Sequence, residues 1–106
     1  VCLDVSHSKL ACTHLNASFS TFLKAILPFT AHMHLADAKG VDGEGLQIHD
    51  GEIDWVQLFA LMDQFAPKAS FIPEIWQGHK NNGEGAWLAL ERLEGCLESS
   101  PQRQVA

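Results

Sequence analysis

Three ionisable residues stand inside stretches that are otherwise apolar: Asp4 within residues 1–6, His34 within 31–36 and Glu74 within 70–76. Each stretch reads as a short buried strand bounded by turn residues, and each ionisable residue lies toward the strand's C-terminal end. Side chains alternate in direction along a strand. Val1, Leu3 and Val5 therefore share one face, leaving Cys2 and Asp4 on the other. Met33 and Leu35 share a face opposite His32, His34 and Ala36. Phe71, Pro73 and Ile75 share a face opposite Ile72, Glu74 and Trp76. If the three strands are neighbours, Asp4, His34 and Glu74 project together. Two carboxylates and an imidazole are costly to desolvate on one inner surface unless a cation compensates them. Their mixed oxygen and nitrogen donors suit Mn, Mg, Co or Zn without choosing among these metals. Each residue could instead hydrogen-bond locally at its strand end. Equivalent positions on three consecutive strands favour a shared cation.

Further candidates lie in the connections. His7 follows Asp4 by three residues, beyond the expected strand end, where the chain can turn it back over the same site. Asp42 and Glu44 are spaced i, i+2, so an extended loop could aim both carboxylates one way; the alternative is a solvated acidic loop. Lys39 could pair with Asp37 within its loop or reach a substrate oxygen. His32 reads as an inner core residue, and His14 and His49 as surface residues. The segment 77–85 combines glycines with the donors His79 and Lys80 ahead of a helix, a setting that can grip phosphate or another anionic group. Its Asn-Gly pair is equally a turn signal.

The elements that must position these residues are three β-then-α units. After the first strand and a polar loop, Phe19, Phe22, Leu23 and Ile26 recur at helical spacing, with Ser18 as N-cap and Pro28 as the stop. After the second strand, a Gly-rich loop over 40–51 leads to Asp54, an N-cap with Gln57 three residues on. Trp55, Leu58, Leu61, Met62 and Phe65 then mark one helical face, ended by Pro67. The third strand precedes a helix carrying Trp87, Leu90, Leu93 and Leu97. A polar tail over 99–106 closes the chain. Alternating strands and helices imply a parallel sheet with helices outside it.

The chain has 106 residues, enough for one domain but far short of the ~250 of a complete (β/α)₈ barrel. It opens in the middle of an apolar strand. The expectation is therefore a partial barrel over 1–98, the last three βα units, completed by a missing N-terminal half or by a second copy. Seven Lys and Arg against 13 Asp and Glu argue against a broad nucleic-acid surface. No apolar run approaches the ~20 residues of a membrane span. Cys2, Cys12 and Cys96 form no C-x-x-C pair and leave an odd thiol, which suits a reduced, cytoplasmic protein.

Several of these stretches resemble one family. Asp4-Val5-Ser6-His7 resembles the D-x-x-H element of the xylose-isomerase-like barrel superfamily, which includes sugar phosphate isomerases and epimerases and the family 2 AP endonucleases of the endonuclease IV class. Met33-His34-Leu35-Ala36-Asp37-Ala38-Lys39 is similar to its H-L-x-D strand end. Gly51-Glu52-Ile53-Asp54-Trp55 is similar to its helix entry, and Ile72-Pro73-Glu74 to its final-strand glutamate. The resemblance implies that Asp4, His34 and Glu74 are metal ligands. In the epimerase branch it makes Glu74 also an acid/base and His7 a substrate contact. In the endonuclease branch it gives His7 to a second metal together with Asp42 and position 44, where this chain has Glu44 in place of histidine. The epimerases' arginine after the strand-end histidine is absent here, with Lys39 as its only substitute. The segment from Glu74 to Asn82 also resembles barrels fused behind sialic-acid-synthase-type enzymes.

The function implied is a metal-dependent isomerase or epimerase of a sugar or sugar phosphate, working by proton transfer through an enediolate, with the 106-residue piece inactive alone. Two other functions stay open: metal-dependent phosphodiester hydrolysis, and a non-catalytic barrel module of a fused synthase.

Overall fold

A computed structural model describes residues 1–98; the expected polar tail lies outside the described residues. The first strand, β1 (Cys2–Asp4), passes into helix α1 (Val5–His14) without a loop. The cause is Asp4, whose extended backbone ends the strand while its Oδ1 accepts the His7 N–H at 2.9 Å, capping the helix. The expected strand over 1–6 and the polar loop after it are thus corrected. Val5 and Ser6 open a helix whose Ser, His, Lys and Thr residues dilute its apolar spacing, with Leu10 and Cys12 as its later buried residues.

The other elements follow local chemistry more closely. Ser18 caps α2 (Phe19–Ile26) by accepting the Thr21 N–H, and Pro28 turns the chain into a 3₁₀ segment, Leu27–Phe29. β2 (His32–Leu35) comes next. The Gly-rich stretch that reads as loop contains a hairpin, β3 (Asp37–Lys39) and β4 (Gly43–Leu46), with Gly40 at φ 64° in the turn. Asp54 caps α3 (Trp55–Phe65) through the Gln57 N–H at 3.0 Å. β5 (Ser70–Pro73) precedes α4 (Lys80–Glu98), which is interrupted at Asn81, Asn82 and Gly83 by left-handed backbone.

β1, β2 and β5 form a parallel sheet in that order, with Asp4 opposite His34 and His34 opposite Ile72. One face meets the helices: Leu3, Met33 and Leu35 are buried with Leu10, Leu23, Leu58, Phe59 and Leu93, and the Phe59 and Phe71 rings meet edge to face at 5.6 Å. The opposite face is open, so Cys2 and Ile72 are exposed. His32 also lies there, half-buried and bonded through Nδ1 to Ser70 Oγ at 2.7 Å, instead of in a core layer. On α4 the buried residues are Ala89, Leu93 and Cys96, while Trp87 and Leu90 are exposed. No helix among the described residues is long and apolar enough to cross a membrane.

Candidate functional site

Strand register brings three of the sequence candidates to one place. Asp4 and His34 are cross-strand partners at the C-terminal ends of β1 and β2. Glu74 follows β5, and its N–H extends the ladder by donating to Leu35 O at 2.9 Å. One potential ligand atom from each of Asp4, His34 and Glu74 lies within 4.8 Å of the others. His34 Nδ1 is 2.8 Å from Glu74 Oε2, and its Nε2 is 3.7 Å from Cys2 Sγ.

His7 joins the group from the first turn of α1. Its Nδ1 sits 3.0 Å from Asp4 Oδ2, and its Nε2 contacts the Glu44 carboxylate carried by β4. The hydrogen bond to Asp4 is the main cause holding the His7 pKa above its ordinary 6.5. Burial is the next largest influence and opposes the shift, and the Asp4 charge and then Glu44 add to it. Two carboxylates and an imidazole are donors that a divalent cation of the Mg, Mn, Co or Zn type accepts. Asp4 uses one lone pair on each oxygen toward His7, and a carboxylate offers about four such positions. The residues present therefore fit a cation held by Asp4, His34 and Glu74.

These side chains line a cleft of about 270 Å³ together with Ser6, Ala36, Gly45, Ile75 and Trp76. The remaining candidates lie elsewhere. Asp42 and Lys39 are exposed on the hairpin outside the cleft lining, so the i, i+2 spacing delivers Glu44 alone. His79 and Lys80 are exposed or lie outside the lining, and Lys80 borders a separate shallow depression that also contains Glu84. In that segment the N–H groups of Gly78, Lys80, Gly83 and Ala86 already donate to carbonyls of the same loop. Asn81 Nδ2 donates to Glu84 at 3.3 Å.

The residue that positions the site, Asp37, reads from sequence as a loop partner of Lys39 and as the aspartate of the H-L-x-D resemblance, with no role assigned to it. It is fully buried. Its Oδ1 accepts the N–H groups of Ala38 and Ile53 at 2.9 and 3.0 Å, and its Oδ2 accepts His49 N–H and Trp55 Nε1–H, both at 2.9 Å. One carboxylate thus ties the hairpin to the entry of α3. Gly51 is obligatory beside it, because a Cβ there would stand 2.4 Å from both Asp37 Oδ1 and Ala38 O. Ser6 completes the frame: its hydroxyl donates to Asp37 O and accepts the Gly45 N–H, each at 3.0 Å. That hydroxyl joins the helix bearing His7 to the strand bearing Glu44. The sequence signal for Asp37 is a lone carboxylate between alanines, Ala36-Asp37-Ala38, directly after a buried strand.

No match to the chain is found among protein-family models, curated proteins or solved structures.

Proposed function

We propose that this chain forms the last three βα units of a xylose-isomerase-like (β/α)₈ barrel and carries three metal ligands, Asp4, His34 and Glu74, of a sugar or sugar-phosphate isomerase or epimerase. One observation carries the reading: Asp4, His34 and Glu74 meet at the C-terminal ends of three adjacent parallel strands. That is the end of a parallel barrel where catalytic residues gather. A bound divalent cation would supply electrophilic stabilisation of negative charge on substrate oxygen.

The chain's own residues would move the proton. Glu74, more than half exposed in the cleft, takes a proton from the carbon beside the substrate carbonyl. The C–H electron pair becomes the new C=C bond, and the carbonyl π pair moves onto oxygen, giving an enediolate. Isomerisation is completed when the neighbouring hydroxyl gives up its proton to the former carbonyl oxygen and a proton is delivered to the former carbonyl carbon; return of the proton to the opposite face of the original carbon completes epimerisation. No oxidant is needed. His7 stays on Asp4 through Nδ1, and a substrate oxygen that displaces the Glu44 carboxylate accepts the hydrogen bond from its Nε2. The three free thiols accord with a cytoplasmic setting. Phosphodiester hydrolysis has less support, since among the described residues the cleft lining carries Asp4, Glu44 and Glu74 and no Lys or Arg.

Calorimetric titration of the metal-free chain with Mn²⁺ tests the reading. One ion should bind per chain, and Glu74→Gln and Asp4→Asn should each weaken it at least ~10-fold. In the barrel-bearing parent, Glu74→Gln should also lower turnover of a ketose and aldose panel by ~10²–10⁴. Absence of saturable binding, or equal affinity in the variants, refutes the proposal.

A further inference from the structure

We infer that Trp76 is a stacking platform for the apolar face of a single sugar unit, and that this sugar is uncharged. The inference rests on the metal-site reading above and names the ligand class of that same cleft.

Trp76 presents its ring to solvent from a fixed backbone. Its N–H donates to Gly45 O at 2.9 Å, and at Gly45, with φ 64°, any Cβ would come within 3.3 Å of the Trp76 Cβ. The side chain is nonetheless 73% exposed and lines the cleft next to Glu74. The ring neither fills the core nor caps a helix; it is an apolar plane held at the rim of a polar site. Small-molecule pockets combine such aromatic surface with a few placed polar groups.

The cleft is divided in the way a sugar is divided. Ala36, Ile75 and Trp76 supply an apolar side, which suits the C–H face of a sugar. Asp4, His7, His34, Glu44 and Glu74 supply hydrogen-bonding groups for its hydroxyl edge. A volume of about 270 Å³ lies below the ~300–1,000 Å³ of drug-sized pockets and admits one monosaccharide.

Charge decides against a phosphorylated ligand. Among the described residues three carboxylates line the cleft and no Lys or Arg does, so a divalent cation still leaves this lining without surplus positive charge. Lys80, the lysine nearest Trp76 along the chain, lines a neighbouring depression that Trp76 also borders and that Glu84 shares. In the loop that could have cradled phosphate, the N–H groups of Gly78, Lys80, Gly83 and Ala86 are occupied by the carbonyls of Ile75, Gln77, His79 and Gly78.

The test compares wild type, Trp76→Ala, Trp76→Phe and Lys80→Ala, each loaded with Mn²⁺, by calorimetric and NMR titration with D-glucose, D-fructose and their 6-phosphates. Trp76 and Lys80 are exposed, so none of these substitutions removes core packing. Trp76→Ala should weaken neutral-sugar binding about 10-fold, the scale of uncovering one indole face. Trp76→Phe should keep most of the affinity, and Mn²⁺ affinity should stay within about twofold in both. The 6-phosphates should bind no more tightly than the free sugars, and Lys80→Ala should change neither. Three outcomes overturn the inference: Mn²⁺-loaded protein that binds none of the sugars, equal sugar affinity in Trp76→Ala, or tighter 6-phosphate binding lost in Lys80→Ala. Failure of wild type to bind Mn²⁺ is a separate result and removes the metal-site reading beneath it.

Discussion

Replacing Asp37 by asparagine keeps the side chain's shape and removes half of its acceptor capacity. Both carboxylate oxygens are fully used, each by two buried or half-buried N–H donors. In the Asp37→Asn variant the amide nitrogen must face one of these pairs, either Ala38 and Ile53 or His49 and Trp55. Two donors then lose their acceptor and meet another donor. An orphaned buried donor costs ~1–3 kcal/mol, so the pair costs ~2–6 kcal/mol. Native domains are stable by only ~5–15 kcal/mol. At a urea slope of ~1–3 kcal/mol per M, the unfolding midpoint should drop by about 2 M. Urea titration followed by Trp fluorescence reads this directly, since Trp55 is buried against Asp37. A double-mutant cycle with Trp55→Phe, which deletes one of the four donors, should show coupling of ~0.5–3 kcal/mol. An Asp37→Asn midpoint within ~0.3 M of wild type would refute the claim that this carboxylate holds the frame.

Gly51→Ala should destabilise by ~1–3 kcal/mol in the same assay, because its Cβ meets Ala38 O and Asp37 Oδ1 at 2.4 Å; an unchanged midpoint would show that the turn relaxes freely. In metal-free protein, NMR titration should place the His7 midpoint above 6.5, falling toward that value in Glu44→Gln and further in Asp4→Asn. Because the folded-state value is raised, the stability His7 contributes is fully present below pH 6.5 and is lost as pH rises through the folded midpoint. The effect stays small at a side chain 63% exposed. Ellman's reagent should label exposed Cys2 first. Cys12 and Cys96 are buried, and burial, with the Asp54 charge adding to it, pushes the Cys96 thiol pKa up, so both should react only on unfolding.

Much of this architecture is local enough to be written in the sequence. Period-two alternation separates Met33 and Leu35 from His32 and His34 on opposite sides of β2, as the burial of that strand shows. The caps Ser18 and Asp54 mark where α2 and α3 begin, since each bond closes within three residues. The three ionisable residues at strand ends could be named for the same reason.

Tertiary structure decided the rest. Whether Asp4, His34 and Glu74 meet depends on which strands are neighbours and in what register, and residue spacing alone does not encode that. Asp4 serves as a helix cap as well as a site residue because α1 starts inside what reads as strand, and α1 itself has too little apolar periodicity to announce it. The Gly-rich stretch folds as a hairpin because Asp37, Ser6 and Gly51 supply bonds and space from positions up to 39 residues apart. That hairpin delivers Glu44 to His7 and leaves Asp42 outside. Lys80 and Trp76, four residues apart, part company for a similar reason: the left-handed backbone begins at Asn81, which lines the other depression with Lys80, and Trp76 borders both. Local hydrogen bonds and side-chain alternation are short-range and legible in one dimension. Convergence, burial and the choice among nearby charges are set by long-range packing, which the chain encodes only through the whole fold.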